Sequence, residues 1–168
     1  MAQVLAQKVG LNEPEAHALR LAVPLLDIGT SIVPKSILQK SSPLSDEEVF
    51  KIRQHAEFGY QILQDSSRPT IQMAAMLAKQ HHERWDGKGY PEGLKGEEID
   101  IRSRIATLVD VFDALLNERP YKPGWSIDKV VAVLQEESGK HFDPQLVEYV
   151  LEDLPAFIAI QARYPNKT

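Results

Sequence analysis

The chain has 168 residues, 43% of them hydrophobic, with a formal net charge of −5. That length suits one domain with a buried core, and an acidic balance without a basic block excludes sequence-independent binding to duplex DNA. There is no cysteine, which excludes disulfides and thiolate–metal sites and fits a reducing, cytoplasmic setting. Any metal must therefore be held by His, Asp and Glu, a donor set suited to iron, manganese, nickel or zinc. No apolar run approaches the roughly 20 residues that span a bilayer.

In chain order, the apolar spacing is helical nearly throughout. Val4, Leu5 and Val9 mark a first short helix that Gly10 ends, and the pattern starting at once from Met1 suggests a piece of a longer protein. Asn12 reads as the cap of a second helix, with Glu13 and Glu15 in its first turn and a stripe of Ala16, Leu19, Ala22, Val23 and Leu26. Pro24 lies inside that stripe and is expected to kink the helix just before Asp27. Ser45-Asp46-Glu47-Glu48 is a capping box that opens a helix whose buried face is expected to hold Val49, Ile52, Ile62 and Leu63.

After a break at Ser66 to Pro69, a helix restarts from Thr70, with Ile71, Ala74, Ala75, Ala78 and His82 on one side. Gly87, Gly89, Gly93 and Gly96 then mark a structured loop. A strongly apolar helix follows through Ile105, Leu108, Val109, Phe112, Leu115 and Leu116, and Pro120 stops it. Ser126 caps the next helix, which ends at Gly139. Asp143-Pro144 starts another, and Pro155 to Ala162 forms a last one. With no strand pattern, the expected fold class is all-α, a single bundle of about seven helices.

The candidate chemistry is spread over several of these elements. His81-His82 are neighbours, so their side chains point about 100° apart on a helix and meet at one centre only from a helix end. Taken alone, the pair is equally compatible with two solvated histidines. Asp27 sits in Leu-Leu-Asp-Ile-Gly, where a carboxylate in an apolar run needs a partner unless it faces water at a helix end. Asp110 and Asp113 stand one turn apart in an apolar helix, so at least one of them is expected to be buried. His55 falls close to the inner face of its helix, while His17 reads as a surface residue and His141 as structural. Together Asp27, His55, His81, His82 and Asp110 come from four segments, the way a helical bundle builds a metal site for phosphate-ester hydrolysis.

The stretch HHERWDGKGYPEGLKGEEI closely resembles the signature loop of HD-GYP domains. LLDIGTSIVPKSIL resembles that family's HD motif region, HAEFGYQIL its next metal helix, VDVFDALLNERPYK the stretch after the loop, and SGKHFDP its C-terminal motif, all in the family's order over residues 20 to 147. The resemblance implies an HD-domain bundle over residues 1–168, cut from a longer signalling protein, that hydrolyses cyclic di-GMP to pGpG or GMP with bound iron or manganese. It makes Asp27 the bridging, catalytic aspartate and places further metal ligands at His55, His81, His82 and Asp110. It also gives substrate-contact roles to Tyr90, Arg119 and Lys122, with Arg84 and Lys95 as weaker candidates. It implies docking of GGDEF-domain proteins on the GYP loop, and a homodimer is compatible with it.

Three departures from the family pattern stand out. Leu26 replaces the histidine before the aspartate, Thr30 replaces the lysine three residues after it, and Pro24 enters the helix that aims Asp27. Counted by resemblance, one metal position keeps Asp27, His55, His81 and His82, and the other keeps only Asp27 and Asp110. One tightly bound cation and impaired catalysis are the expectation. The alternative is an inactive module that binds a nucleotide or a protein.

Overall fold

The computed structural model describes residues 1–117 and 124–163. Among these, nine α-helices and no strand are found, so the all-α expectation holds with more helices than the expected seven. The first two, α1 (Ala2–Lys8) and α2 (Glu13–Ala22), pack on each other. Asn12 caps α2 with a full capping box, its Oδ1 accepting the Glu15 N–H while Glu15 accepts the Asn12 N–H.

Pro24 does not kink a longer helix. The α-helix stops at Ala22 and the chain tightens into a 3-10 turn over Val23–Leu25, because proline has no N–H to continue the ladder. Asp27 follows immediately, and a second 3-10 segment, Ile28–Ile32, carries the chain to the short α3 (Lys35–Leu38). That four-residue helix had no visible apolar period.

Ser45 opens α4 (Asp46–Leu63) with the expected capping box. Its inward face is narrower than the sequence suggests. His55, Ala56, Gly59 and Leu63 are buried, Val49 and Ile52 are half-buried, and Ile62 is 51% exposed. The small residues at this face let α4 approach both the 3-10 segment and α5 (Pro69–Gln80). A Cβ placed on Gly29 would lie 2.0 Å from the His55 carbonyl oxygen, and one on Gly59 would lie 2.9 Å from the Ala78 Cβ.

The rest of the bundle supplies the core. In α6 (Ile101–Leu116), Ile105, Ala106, Leu108, Val109 and Phe112 are buried. They share one apolar cluster with residues of α1, α2, α5, α7 (Ile127–Glu137), α8 (Pro144–Glu152) and α9 (Leu154–Arg163). Phe112 and Phe157 meet edge to face within it, with ring centroids 6.3 Å apart. No helix among the described residues is long and apolar enough to cross a membrane.

Candidate metal centre

Asp27, His55, His81 and His82 each offer a ligand atom, and these atoms all lie within 4.8 Å of one another. The four come from the turn before Ile28–Ile32, from α4, and from the end of α5, which stops at Gln80. His81 is the C-cap of α5, so the adjacent His81 and His82 leave the helical register and converge, with ring centroids 4.0 Å apart. That is the helix-end geometry anticipated for two neighbouring histidines.

The hydrogen bonds of the rings assign their tautomers. Nδ1 of His55 lies 2.6 Å from the Ile52 carbonyl oxygen, and Nδ1 of His81 lies 2.9 Å from the Ala78 carbonyl and 3.1 Å from that of Leu77. A carbonyl only accepts, so each Nδ1 carries the proton and each Nε2 presents a lone pair. Yet the Nε2 atoms of His55 and His81 are 3.2 Å apart, and Nε2 of His82 is 3.1 Å from that of His55. One Asp27 carboxylate oxygen lies 3.5 Å from both His55 and His81. Lone pairs facing one another in this way need a shared proton or a cation. The separations match the edges left between donors bound about 2.0–2.2 Å from one centre. The residues present therefore fit a divalent cation.

The electrostatics agree with that reading. The contact with His81, reinforced by His55 and His82, holds the Asp27 carboxyl below its ordinary value, against the opposing effect of partial burial. Burial, reinforced by the neighbouring His81 and His55, lowers His82 to about 3, so it is neutral and available as a donor at physiological pH.

The glycine loop is fixed against this centre. Glu83, 2% exposed, accepts the backbone N–H groups of Glu92 at 2.7 Å, Gly93 at 3.2 Å and Leu94 at 3.0 Å. The Tyr90 N–H donates to the His82 carbonyl, and the Tyr90 ring stacks on the His82 ring at 4.7 Å. Burial pushes the Tyr90 phenol up to about 12. Thr107 of α6 donates its hydroxyl to the His81 carbonyl at 3.0 Å, tying α6 to the end of α5.

The other sequence candidates fall elsewhere. Asp110 is exposed on α6 and is not one of the four clustered donors. Asp113, not Asp110, is the half-buried member of that pair; burial raises it, and it accepts a hydrogen bond from Asn117 at 2.7 Å. The expectation of a deeply buried carboxylate here is thus corrected, because the apolar face of α6 passes through Ala106, Val109 and Phe112 instead.

Arg84 is committed to Asp86 and to Glu137 of α7, at 3.3 Å each, so it braces the loop. Lys95 is exposed and sits opposite Asp86 in an isolated bridge. Arg119 and Lys122 lie outside the described residues. His17 is exposed, as read, and His141 stacks on Phe142 with centroids 4.4 Å apart. Glu83, Thr107 and Gly59 were given no role from sequence. Of these only Glu83, an acid directly after two histidines, offered a local signal.

Comparison with known proteins places this geometry in a lineage. Residues 1–146 match the family described as HD domain. The chain is 42% identical over 151 residues to the cyclic di-GMP phosphodiesterase response regulator RpfG of Xanthomonas campestris, covering 90% of this chain and 40% of that protein. It is 43% identical over 162 residues to 3'3'-cGAMP-specific phosphodiesterase 2 of Vibrio cholerae, covering 96% of this chain and 31% of that protein. It thus spans well under half the length of these curated relatives. A crystal structure of a cyclic GMP-AMP specific phosphodiesterase of V. cholerae has the same fold, with a TM-score of 0.68 at 24% identity, over 96% of this chain and 45% of that one. The residues from Leu26-Asp27 through the His81-His82 pair and the glycine loop are therefore those of a chain that belongs to the HD-domain family.

Proposed function

We propose that this chain is the hydrolase portion of a longer cyclic-dinucleotide signalling protein, and that it holds one divalent cation, iron or manganese, at Asp27, His55, His81 and His82. The observation that carries this reading is the pair of Nε2 lone pairs of His55 and His81 facing each other at 3.2 Å, with both Nδ1 protons committed to carbonyls. The relatives' names motivate the substrate, cyclic di-GMP, hydrolysed to pGpG or GMP.

When bound, such a cation supplies charge neutralisation for a phosphodiester and lowers the pKa of a coordinated water. The chain's own residues do the rest. The carbonyls of Ile52, Leu77 and Ala78 orient the imidazoles. Asp27, the exposed member of the group, accepts a hydrogen bond from the attacking water and orients it. Tyr90 shields the His82 ring from solvent.

A second reading, a module that binds cyclic di-GMP or a GGDEF-domain partner through its glycine loop without turnover, has its own support. Leu26, where the family carries its first histidine, is 5% exposed and belongs to the apolar core. The Thr30 hydroxyl donates to the Asp27 carbonyl at 2.8 Å and brings no charge to the site. By the family resemblance a second cation keeps only Asp27 and Asp110 as ligands. We therefore expect slow hydrolysis.

The test is metal analysis of protein purified with manganese, together with cyclic di-GMP hydrolysis beside a Leu26→His, Thr30→Lys double variant. About one equivalent of metal in the unmodified chain, and a gain of metal and activity in the variant, is the expected result for one retained site. Equal turnover by both proteins overturns the impaired-site reading. Absence of bound metal from the unmodified chain overturns the metal centre.

A further inference from the structure

Arg53 lies on α4 two residues before His55, and its guanidinium carbon is 4.9 Å from the centroid of the Tyr90 ring. The Tyr90 ring is itself stacked on His82 and lies 6.5 Å, edge-on, from His55. Arg53 thus stands beside the donor group, separated from it by no more than an aromatic ring. Glu57 occupies the i+4 position where a helical ion pair with Arg53 would ordinarily form. Instead Glu57 accepts from Gln61 Nε2 at 3.1 Å, and no carboxylate among the described residues forms an ion pair with Arg53. A guanidinium held by an aromatic face keeps its N–H fork open for an incoming anion.

Building on the functional reading above, we propose that Arg53 and Tyr90 form the specificity wall of the site, with Arg53 receiving the phosphate of the cyclic dinucleotide that is not being cleaved. A cyclic dinucleotide carries two phosphodiesters on opposite sides of its ring. When one is at the Asp27–histidine group, the other needs a cation displaced from that group. The neighbouring exposed position on α4 supplies one, and stacking on Tyr90 restricts the guanidinium before the ligand arrives. A linear dinucleotide with a single phosphodiester leaves Arg53 without a partner.

Equilibrium binding to manganese-loaded protein tests this, using cyclic di-GMP and the single-phosphodiester dinucleotide GpG as ligands. Arg53→Ala, at an exposed helical position, is expected to keep its manganese content and to bind cyclic di-GMP about tenfold or more weakly, the loss typical of a hydrogen bond to a charged group. Its affinity for GpG should fall much less, and Arg53→Lys should restore part of the cyclic di-GMP affinity. An equal loss for both ligands, or no loss for either, overturns the role of Arg53 while leaving the functional reading intact. If the unmodified, manganese-loaded chain binds no cyclic di-GMP at all, the functional reading fails and this inference falls with it.

Discussion

Arg104 donates to Asp143 at 2.7 Å, with only 14% and 4% of the two side chains exposed, so a buried charge pair joins α6 to the start of α8. The same Asp143 accepts the Gln145 N–H at 2.9 Å as the cap of α8, and Arg104 also donates to the Ile99 carbonyl. The SGKHFDP motif is thereby explained as a fastening, because Trp85 and Asp86 of the loop donate backbone bonds to His141 and Lys140 in the same segment. Removing one partner of such a pair strands the other charge in the interior. Asp143→Ala should destabilise the fold by about 3–5 kcal/mol, read as the shift in a denaturant midpoint. A change under about 1 kcal/mol would place the pair energetically at the surface.

Glu83 gives a second expectation. With three backbone donors on one buried carboxylate, Glu83→Gln keeps the shape but turns part of an acceptor-only group into a donor aimed at N–H groups. A loss of about 2–4 kcal/mol is expected, concentrated in the loop. Hydrogen exchange at Glu92, Gly93 and Leu94 should accelerate by more than exchange in α6. Uniform acceleration across the chain would mean that the carboxylate supports the whole bundle and not the loop.

Acid should weaken the metal-free fold through His82. Its folded pKa is lowered to about 3 from an ordinary value of 6.5, so the unfolded chain takes up a proton first as pH falls. The stability present above the unfolded value is lost as pH drops from there toward the folded value, at about 1.4 kcal/mol per pH unit for this single group. The drop in denaturant midpoint between about pH 7 and about pH 5 should shrink in His82→Gln, whose side chain does not titrate. Identical pH profiles for the two proteins would assign the acid sensitivity to other groups.

Much of this architecture was legible beforehand, and for identifiable reasons. Asn12, Ser45 and Asp143 announced helix starts because capping is a local bond between residues two or three apart. The convergence of Asp27, His55, His81 and His82 followed from motifs arranged in a known order. What escaped notice depends on contacts between distant segments. Ile62 looked like a core residue by spacing, yet the inner stripe of α4 is so narrow that it faces water. At least one of Asp110 and Asp113 looked buried from the apolar flanks, while only the bundle determines which side of α6 is inward. Arg53 and Thr107 make their contacts with Tyr90 and the His81 carbonyl, which are far away in sequence.

Gly29 tests how the site is sized. Its absent side chain is what lets the segment after Asp27 lie directly on the α4 backbone at His55 and Gly59. In Gly29→Ala the new methyl group must push those two main chains apart by an ångström or more to reach ordinary contact. Manganese affinity should fall by at least tenfold, in the range seen when groups that position ligands are removed. Unchanged manganese affinity in a folded variant would show that Asp27 is not positioned through this contact.

The segment that carries Asp27 is thus seated on α4 main chain against main chain, with no side chain between them at Gly29. Leu26 packs into the apolar core and Thr30 turns its hydroxyl to the Asp27 carbonyl, so neither side chain enters that contact. A seat of this kind has no room for an added carbon, so position 29 is constrained by bulk and not by charge.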